Sequence, residues 1–534
     1  MTLPIALLLL ACSSDDASDN DGPPSFVIQP EPAAAPLPAP VPAPSSPPPA
    51  AMAVVFELGA PNGRTGSDVG SQRVAMVDGA PLWATDHLVV VSGSAYHERA
   101  PVAASDGAGG FVAVYEAEVP DGPLRGDLDL LVQRVDVDGH LLWRQGEQSV
   151  VLASTEVVER APVLVPDGAG GAFVIYERHG HDLAGALDSD LAAQHIGGDG
   201  VLLWADGSQE GLPIAAGPGL VSNARAVADG AGGLIVVFEI EPTSGAHAGS
   251  RQLWAHRIAP DGSPLWGVDG QPLVVARAPG SLSQPALLPD GAGGALVVFR
   301  EEVIEGDLAG DFDLMVQRVA PDGGLPWSGD PAAYKVVSAT TLVEGPPALV
   351  SDAAGGAIVA FQATWRDGPR AGEPDLFAQR IGPDGAGLWN QGMPVSVASS
   401  DWSEGDPMLV ADGAGGAIAV YAQQPPAAHL SKDQDIYAQR IGPDGTLLWN
   451  QGQHSSVLSA TTHFEQRPAV VADGAGGVVA FFEAVAQSGA HAGDSELVAQ
   501  RLDAAGLRLW GEDSAPRLVA WSEALERNPS VPSP

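Results

Sequence analysis

The chain has 534 residues, 45% of them apolar, so it is long enough to bury a sizeable core. A formal net charge of −41, with Lys335 and Lys432 as the only lysines, leaves no basic surface for nucleic acid or for an anionic lipid face. Glycine (66) and proline (47) are abundant, which suits many short strands with tight turns better than long helices.

In chain order, the first element is an apolar run, Met1 to Ala11, too short to cross a bilayer as a helix. It ends in Leu9-Leu10-Ala11-Cys12, which resembles the lipobox of bacterial lipoproteins. That resemblance implies cleavage before Cys12, acylation of its sulfur, and a cell-envelope protein held by lipid rather than by a transmembrane helix. It departs from the pattern in one respect, since no Lys or Arg precedes the apolar run. The alternative is an ordinary signal peptide with a chance cysteine. Cys12 is the only cysteine, so the mature body has neither a disulfide nor a thiolate metal site. Residues 13–52 form a linker with twelve prolines between Pro23 and Pro49. Proline fixes φ, and at about 3.1 Å per residue such a stretch could hold a domain roughly 100 Å from its anchor.

Residues 53–534 are built from a repeat. Asp-Gly-Ala-Gly-Gly, once Asp-Ala-Ala-Gly-Gly, begins at Asp106, Asp167, Asp229, Asp290, Asp352, Asp412 and Asp473, with spacings of 60 to 62. Nine residues after each Asp stands an aromatic: Tyr115, Tyr176, Phe238, Phe299, Phe361, Tyr421 or Phe482. A Gln-Arg pair or a near variant follows, then an Asp-Gly turn or its equivalent, then a tryptophan. In the copy at Asp352, Ala348 to Val350 reads as a first strand and Ala357 to Phe361 as a second, continuously apolar one that needs cover on both faces. Leu376 to Ile381 is a third strand, and a fourth is expected around Leu388-Trp389. Four short antiparallel strands per unit, covered on both faces, predict an all-β fold: a single β-propeller of four-stranded blades. A parallel β-helix is the alternative, but its rungs are shorter.

The ends set the predicted count. Val54 to Glu57 matches a second strand, Gln72-Arg73 a third and Leu82-Trp83 a fourth, while Glu526 to Pro529 matches the start of a first strand. The third-strand row is then Gln72, Gln133, Gln194, His256, Gln317, Gln379, Gln439 and Gln500, and the tryptophan row is Trp83, Trp143, Trp204, Trp266, Trp327, Trp389, Trp449 and Trp510. Both rows number eight, so N-terminal strands should pair with a C-terminal strand and close an eight-bladed propeller; seven blades with residues 53–92 packed outside is the alternative. The repeat resembles the roughly 60-residue units of secreted bacterial propeller proteins. Such propellers host lectins, hydrolases and scaffolds, so the resemblance implies the fold and no single activity.

Residues repeated in every unit read first as structural. The tryptophans suit packing between blades. The arginines 73, 134, 257, 318, 380, 440 and 501, with His195 in the eighth place, suit a bond to the turn aspartate or to a carbonyl. On the opposite face, variable loops emerge, and function concentrates on such loops. There a glutamate recurs before the first strand: Glu98, Glu159, Glu344, Glu404, Glu465 and Glu526, with Val221 and Leu282 as the exceptions. A one-sign row focuses potential and could hold a cation or basic group, whereas the structural reading has each glutamate bonding loop amides. Tyr96, Trp365, Trp402, Phe464 and Trp521 stand beside that row and could stack on sugar rings or grip a partner. Acidic pairs such as Asp127/Asp129, Asp311/Asp313 and Asp433/Asp435 offer oxygens of the kind calcium takes, but no full calcium loop appears, so no cofactor is expected beyond that candidate. His179 and His181, near Asp182, lack a third ligand at a defined spacing. No nucleophile elbow, phosphate loop or metalloprotease helix is present. The expected function is a monomeric, noncatalytic envelope propeller that binds a protein or glycan through its loop face; the alternative is a polysaccharide hydrolase or lyase.

Overall fold

The computed structural model describes residues 51–532 except 60–65, 84–87, 121–124, 182–186, 218, 246, 268, 426–432, 489–491, 512–514 and 521–524. Cys12, nearly all of the linker and Trp521 therefore lie outside the described residues. No described helix is long and apolar enough to cross a membrane. The body is all-β and propeller-like, built of four-stranded antiparallel units.

The first unit holds β1 (Ala51–Gly59), β2 (Ser67–Ala75) and β3 (Val89–Ser92). The second holds β4 (His97–Ser105), β5 (Phe111–Glu118), β6 (Leu128–Val135) and β7 (Val150–Ala153). The third holds β8 (Val158–Pro166), β9 (Ala172–His181), β10 (Leu187–Ile196) and β11 (Leu212–Ala215). The fourth holds β12 (Gly219–Ala228), β13 (Leu234–Pro242), β14 (Gln252–Ile258) and β15 (Leu273–Ala276). The fifth holds β16 (Leu282–Pro289), β17 (Ala295–Val303), β18 (Asp311–Val319) and β19 (Lys335–Ser338). In the sixth, the first strand is split into β20 (Val343–Glu344) and β21 (Ala348–Ser351), followed by β22 (Ala357–Thr364), β23 (Pro374–Ile381) and β24 (Val395–Ala398). The split falls at Gly345-Pro346-Pro347, where proline has no N–H for the ladder. The seventh holds β25 (Ser403–Ala411), β26 (Ala417–Gln424), β27 (Asp435–Ile441) and β28 (Ser456–Ser459). The eighth holds β29 (His463–Ala472), β30 (Val478–Ala486), β31 (Ser495–Leu502) and β32 (Arg517–Ala520). The last strand, β33 (Leu525–Ser530), pairs antiparallel with β1, with Glu57 opposite Arg527 and Leu58 opposite Glu526. It supplies the first unit's missing first strand. The third and fourth units touch edge to edge through one parallel pair, Ser189 with Leu220.

The second strands are buried along most of their length, as their unbroken apolar runs require; Ala357 to Phe361 is at most 1% exposed. Each apolar core lies between consecutive units rather than within one. Trp143 and Leu152 of the second unit pack with Val174 and Tyr176 of the third. The last unit packs on the first in the same way, Phe481 and Trp510 with Val54, Phe56 and Val74. First strands of units two and five through eight, with β1 and the Val531-Pro532 segment after β33, contribute to the wall of one largely apolar cavity of about 870 Å³.

The repeated polar residues lock the turns. Asp106 accepts the N–H groups of Ala108 and Gly110, each at 2.8 Å, on one oxygen and Arg134 Nη2 at 2.9 Å on the other. A Cβ on Gly110 would stand 2.2 Å from the Val135 carbonyl, so only glycine fits there. Arg134 Nη1 and the Trp143 indole N–H then both donate to Gly198 O in the next unit, each at 3.1 Å. The same carbonyl position receives an indole from all eight repeat tryptophans; Trp510 reaches back to Met76 O at 3.1 Å, joined by Arg501 at 2.6 Å. His195 replaces Arg in this row and bonds Asp167 at 3.1 Å.

Candidate functional site

The glutamate row does not face solvent. Glu98, Glu159, Glu344, Glu404 and Glu465 are fully buried, and Glu526 is 1% exposed. Each of the first five is capped by hydroxyls from the loop that enters its strand. Glu98 accepts from Ser92 and Ser94, Glu344 from Ser338 and Thr340, and Glu465 from Ser459 and Thr461. Glu159 takes Thr155, and Glu404 takes Ser400 together with Gln423. Burial comes first among the causes that push the carboxyls of Glu98, Glu159, Glu344 and Glu465 up to about 7, against the pull of those hydroxyl donors. Glu404 is raised for the same reason. These groups tie the crossing loops to the strands, and they do not form an open ring. At the two exceptions, Val221 and Leu282, the same place is apolar and buried.

The aromatics are distributed over separate loops. Tyr96 lies before the second unit and is 38% exposed, while Phe464 lies in the eighth and is half-buried. Trp365 and Trp402, by contrast, both belong to the loop end of the sixth and seventh units. Trp365 follows β22, keeps 36% of its surface exposed, and is pinned by its indole N–H on Asp375 at 3.0 Å. Arg370 packs over its ring, 5.5 Å from the centroid, and binds both Asp375 oxygens, while Ser399 donates to the same carboxylate at 2.9 Å. The result is a rigid indole platform held by a saturated carboxylate. Next to it, a polar cavity of about 340 Å³ is lined by Ser399, Glu404, Tyr421, Gln423, Tyr437 and His454.

No protein-family model matches the chain, and no curated protein matches it. Among solved structures, the chain is similar to a puromycin hydrolase at 14% identity and a TM-score of 0.44, covering 83% of this chain and only 59% of the hydrolase. It is also similar to an ulvan lyase, a polysaccharide lyase, at 12% identity and a TM-score of 0.43, covering 74% of this chain and 92% of that one. An endo-arabinase from Bacteroides thetaiotaomicron shares 11% identity with a TM-score of 0.27, covering 53% and 91%. At these levels no site residue carries over from one chain to another.

Three features escaped the sequence reading. Arg370 stands in no repeated row, so only the fold brings it, with Asp375, to Trp365. A second latch runs between units: Glu116 accepts the N–H of Ala161 at 2.9 Å, Glu177 that of Asn223 at 2.9 Å, and Glu483 that of Asn528 at 2.7 Å. The donating residues stand at left-handed bulge positions of the next first strand, such as Ala161 with φ +51°. A glutamate directly after the second-strand aromatic is visible in five of the eight units, Glu57, Glu116, Glu177, Glu239 and Glu483, but the partner it holds lies one unit away. Finally, Asp136, Asp138 and His140 form the only described group with three ligand atoms close together. It is an exposed turn in which His140 bonds Asp136 at 3.1 Å. His179 bonds Glu177 at 2.8 Å; the side chain of His181 and the whole of Asp182 lie outside the described residues.

Proposed function

We infer that the chain is a closed, eight-bladed β-propeller of the cell envelope that binds a glycan at the loop end between its sixth and seventh units. Closure is supported by the pairing of β33 with β1 and by the Trp510 bond to Met76 O. The glycan reading is carried by Trp365, an exposed ring whose rotation is fixed by Asp375 and Arg370. A fixed indole face stacks on the C–H face of a sugar ring at little entropic cost, and the adjoining cavity offers hydroxyl and amide partners for sugar hydroxyls. Both arginines of this loop are already paired, Arg366 with Asp311 and Arg370 with Asp375. With a net charge of −41, the surface repels polyanions, so a neutral polysaccharide fits better than an anionic one.

Cleavage of the bound glycan is a second reading, favoured by Glu404. Its carboxyl lines the cavity and is held above the usual range, as a proton donor to a glycosidic oxygen must be. A second carboxylate close enough to act on it, Asp375, is occupied by Arg370. A panel of neutral and anionic polysaccharides separates the readings. Retention of neutral members without new reducing ends or unsaturated products supports binding alone, product formation supports cleavage, and failure to retain or cut any member removes both. The lipid anchor on Cys12 is proposed alongside.

A further inference from the structure

The polar cavity between the sixth and seventh units has a counterpart between the third and fourth, of about 450 Å³ and with the opposite lining. The two occupy the same place in the repeat. Glu404 stands across from Gln423 where Val221 stands across from Ile240, and Tyr437 pairs with Val457 where Trp254 pairs with Val274. On the facing wall, Ser399 and Ser400 after β24 give way to Ala216 and Gly217 after β11. Every other unit keeps a glutamate at one of the two places that Val221 and Ile240 fill. The polar character of this position is lost from both strands of the fourth unit together.

Aliphatic side chains that replace a buried glutamate for packing alone close on one another, because interiors leave few voids larger than a water molecule. Here small residues hold the space open. Ala215, Ala216, Gly217, Gly219 and Gly270 line it, and a Cβ on Gly217 would meet nothing within 4 Å. Ala216, Gly217 and Gln271 are exposed, so the cavity opens to solvent. No described lining side chain is charged, and the undescribed chain neighbours Pro218 and Val268 carry no polar side chain. Trp254, which belongs to none of the eight repeat tryptophan positions, lines the cavity, and its indole Nε1 is buried without a hydrogen-bond partner. Water is poorly held in an apolar space, and an unmet indole N–H calls for an acceptor.

We propose that the cleft between the third and fourth units binds a compact, uncharged, largely apolar molecule with one hydrogen-bond acceptor, of the class of cyclic and aromatic ketones. Its apolar body lies against Ile214, Val221 and Ile240, and its acceptor takes the Trp254 N–H. Asp190, which accepts the Gly217 N–H at 3.3 Å beside the cavity, and the net charge of −41 both disfavour an anion. The site shares no residue with the one built on Trp365.

The test uses the full chain with para-fluoroacetophenone as probe, followed by the width of its fluorine NMR line. Saturable binding to the unaltered chain is expected. Trp254→Phe should weaken the ketone about five-fold, the worth of one hydrogen bond, while leaving para-fluoroethylbenzene, which has the same ring and no carbonyl, unchanged. Ala216→Trp, placed at the exposed mouth so that no charge is buried, should block both probes. Val221→Glu/Ile240→Gln, which restores the polar pair of the seventh unit, should do the same, and Tyr96→Ala should alter neither. A thermal melt shows which variants remain folded, and Ala216→Trp carries the test if the double variant does not. No binding to the unaltered chain, binding that survives in folded Ala216→Trp, or an equal effect of Trp254→Phe on both probes overturns the proposal.

Discussion

Truncation of Trp510 to alanine tests whether the last unit packs on the first as firmly as any interior pair. Trp510 is 1% exposed and donates its indole to Met76 O at 3.1 Å; Trp266, at an interior boundary, is 2% exposed and donates to Pro321 O at 2.8 Å. In both, an arginine shares the acceptor, Arg501 at 2.6 Å and Arg257 at 2.9 Å, so the carbonyl keeps one partner after truncation. The ring also covers a left-handed glycine of the neighbouring Asp-Gly turn; a Cβ at Gly79 would meet Trp510 at 2.8 Å. Loss of such a ring from a packed boundary costs about 3–5 kcal/mol. Trp510→Ala and Trp266→Ala should therefore lower the urea midpoint, followed by far-ultraviolet circular dichroism, by similar amounts. An unengaged last unit would leave Trp510 on an open edge, where truncation costs under about 1 kcal/mol. A Trp510→Ala midpoint close to wild type, with Trp266→Ala strongly shifted, would refute closure.

Deletion of residues 525–534 removes β33, which pairs with β1, and the Asn528 N–H that Glu483 holds at 2.7 Å; thermal melts should show a far larger loss than an ordinary tail trim. Asp106→Ala leaves Arg134 half-buried without its carboxylate and two turn N–H groups unmet, a loss of about 3 kcal/mol read as a shift in midpoint. Glu465 should titrate near pH 7, above its unfolded value of 4.5, because its burial disfavours the charged form. Its contribution is then complete below about pH 4.5 and is lost as pH rises through about 7, at most about 3 kcal/mol, and Glu465→Gln should flatten that part of the stability profile. Cys12→Ala should move the protein from the detergent-soluble membrane fraction to the soluble one; recovery of both forms in the soluble fraction removes the anchor.

The repeat made much of the fold legible. Glycine-rich turns, continuously apolar second strands and the tryptophan row each marked a position every unit must satisfy, and the match of Glu526-Pro529 to a first strand located β33 beside β1. The bulges in the first strands were not legible, because a left-handed residue such as Ala161 or Asn223 carries no compositional mark and is held by a glutamate one unit away. The loop-end glutamates were found as a row, with a cation-holding ring and bonds to loop amides both open, but their full burial was not legible. Their burial depends on hydroxyls four to six residues upstream, such as Ser338 and Thr340 before Glu344, which look like ordinary loop polarity in one dimension. Trp365 was found as an exposed aromatic, but its support by Asp375 and Arg370 depends on how two loops fold together.

Affinity electrophoresis through gels containing neutral polysaccharides tests the glycan site most directly, with wild type, Trp365→Ala and Tyr96→Ala run side by side. Stacking on an aromatic ring is worth about 1 kcal/mol or more, so removal of the Trp365 ring should weaken retention several-fold. Tyr96, exposed on a separate loop, should leave it unchanged. Retention of wild type and Tyr96→Ala by the same neutral polysaccharide, lost in Trp365→Ala, is the predicted result; equal retention of all three, or of none, contradicts a glycan site built on Trp365.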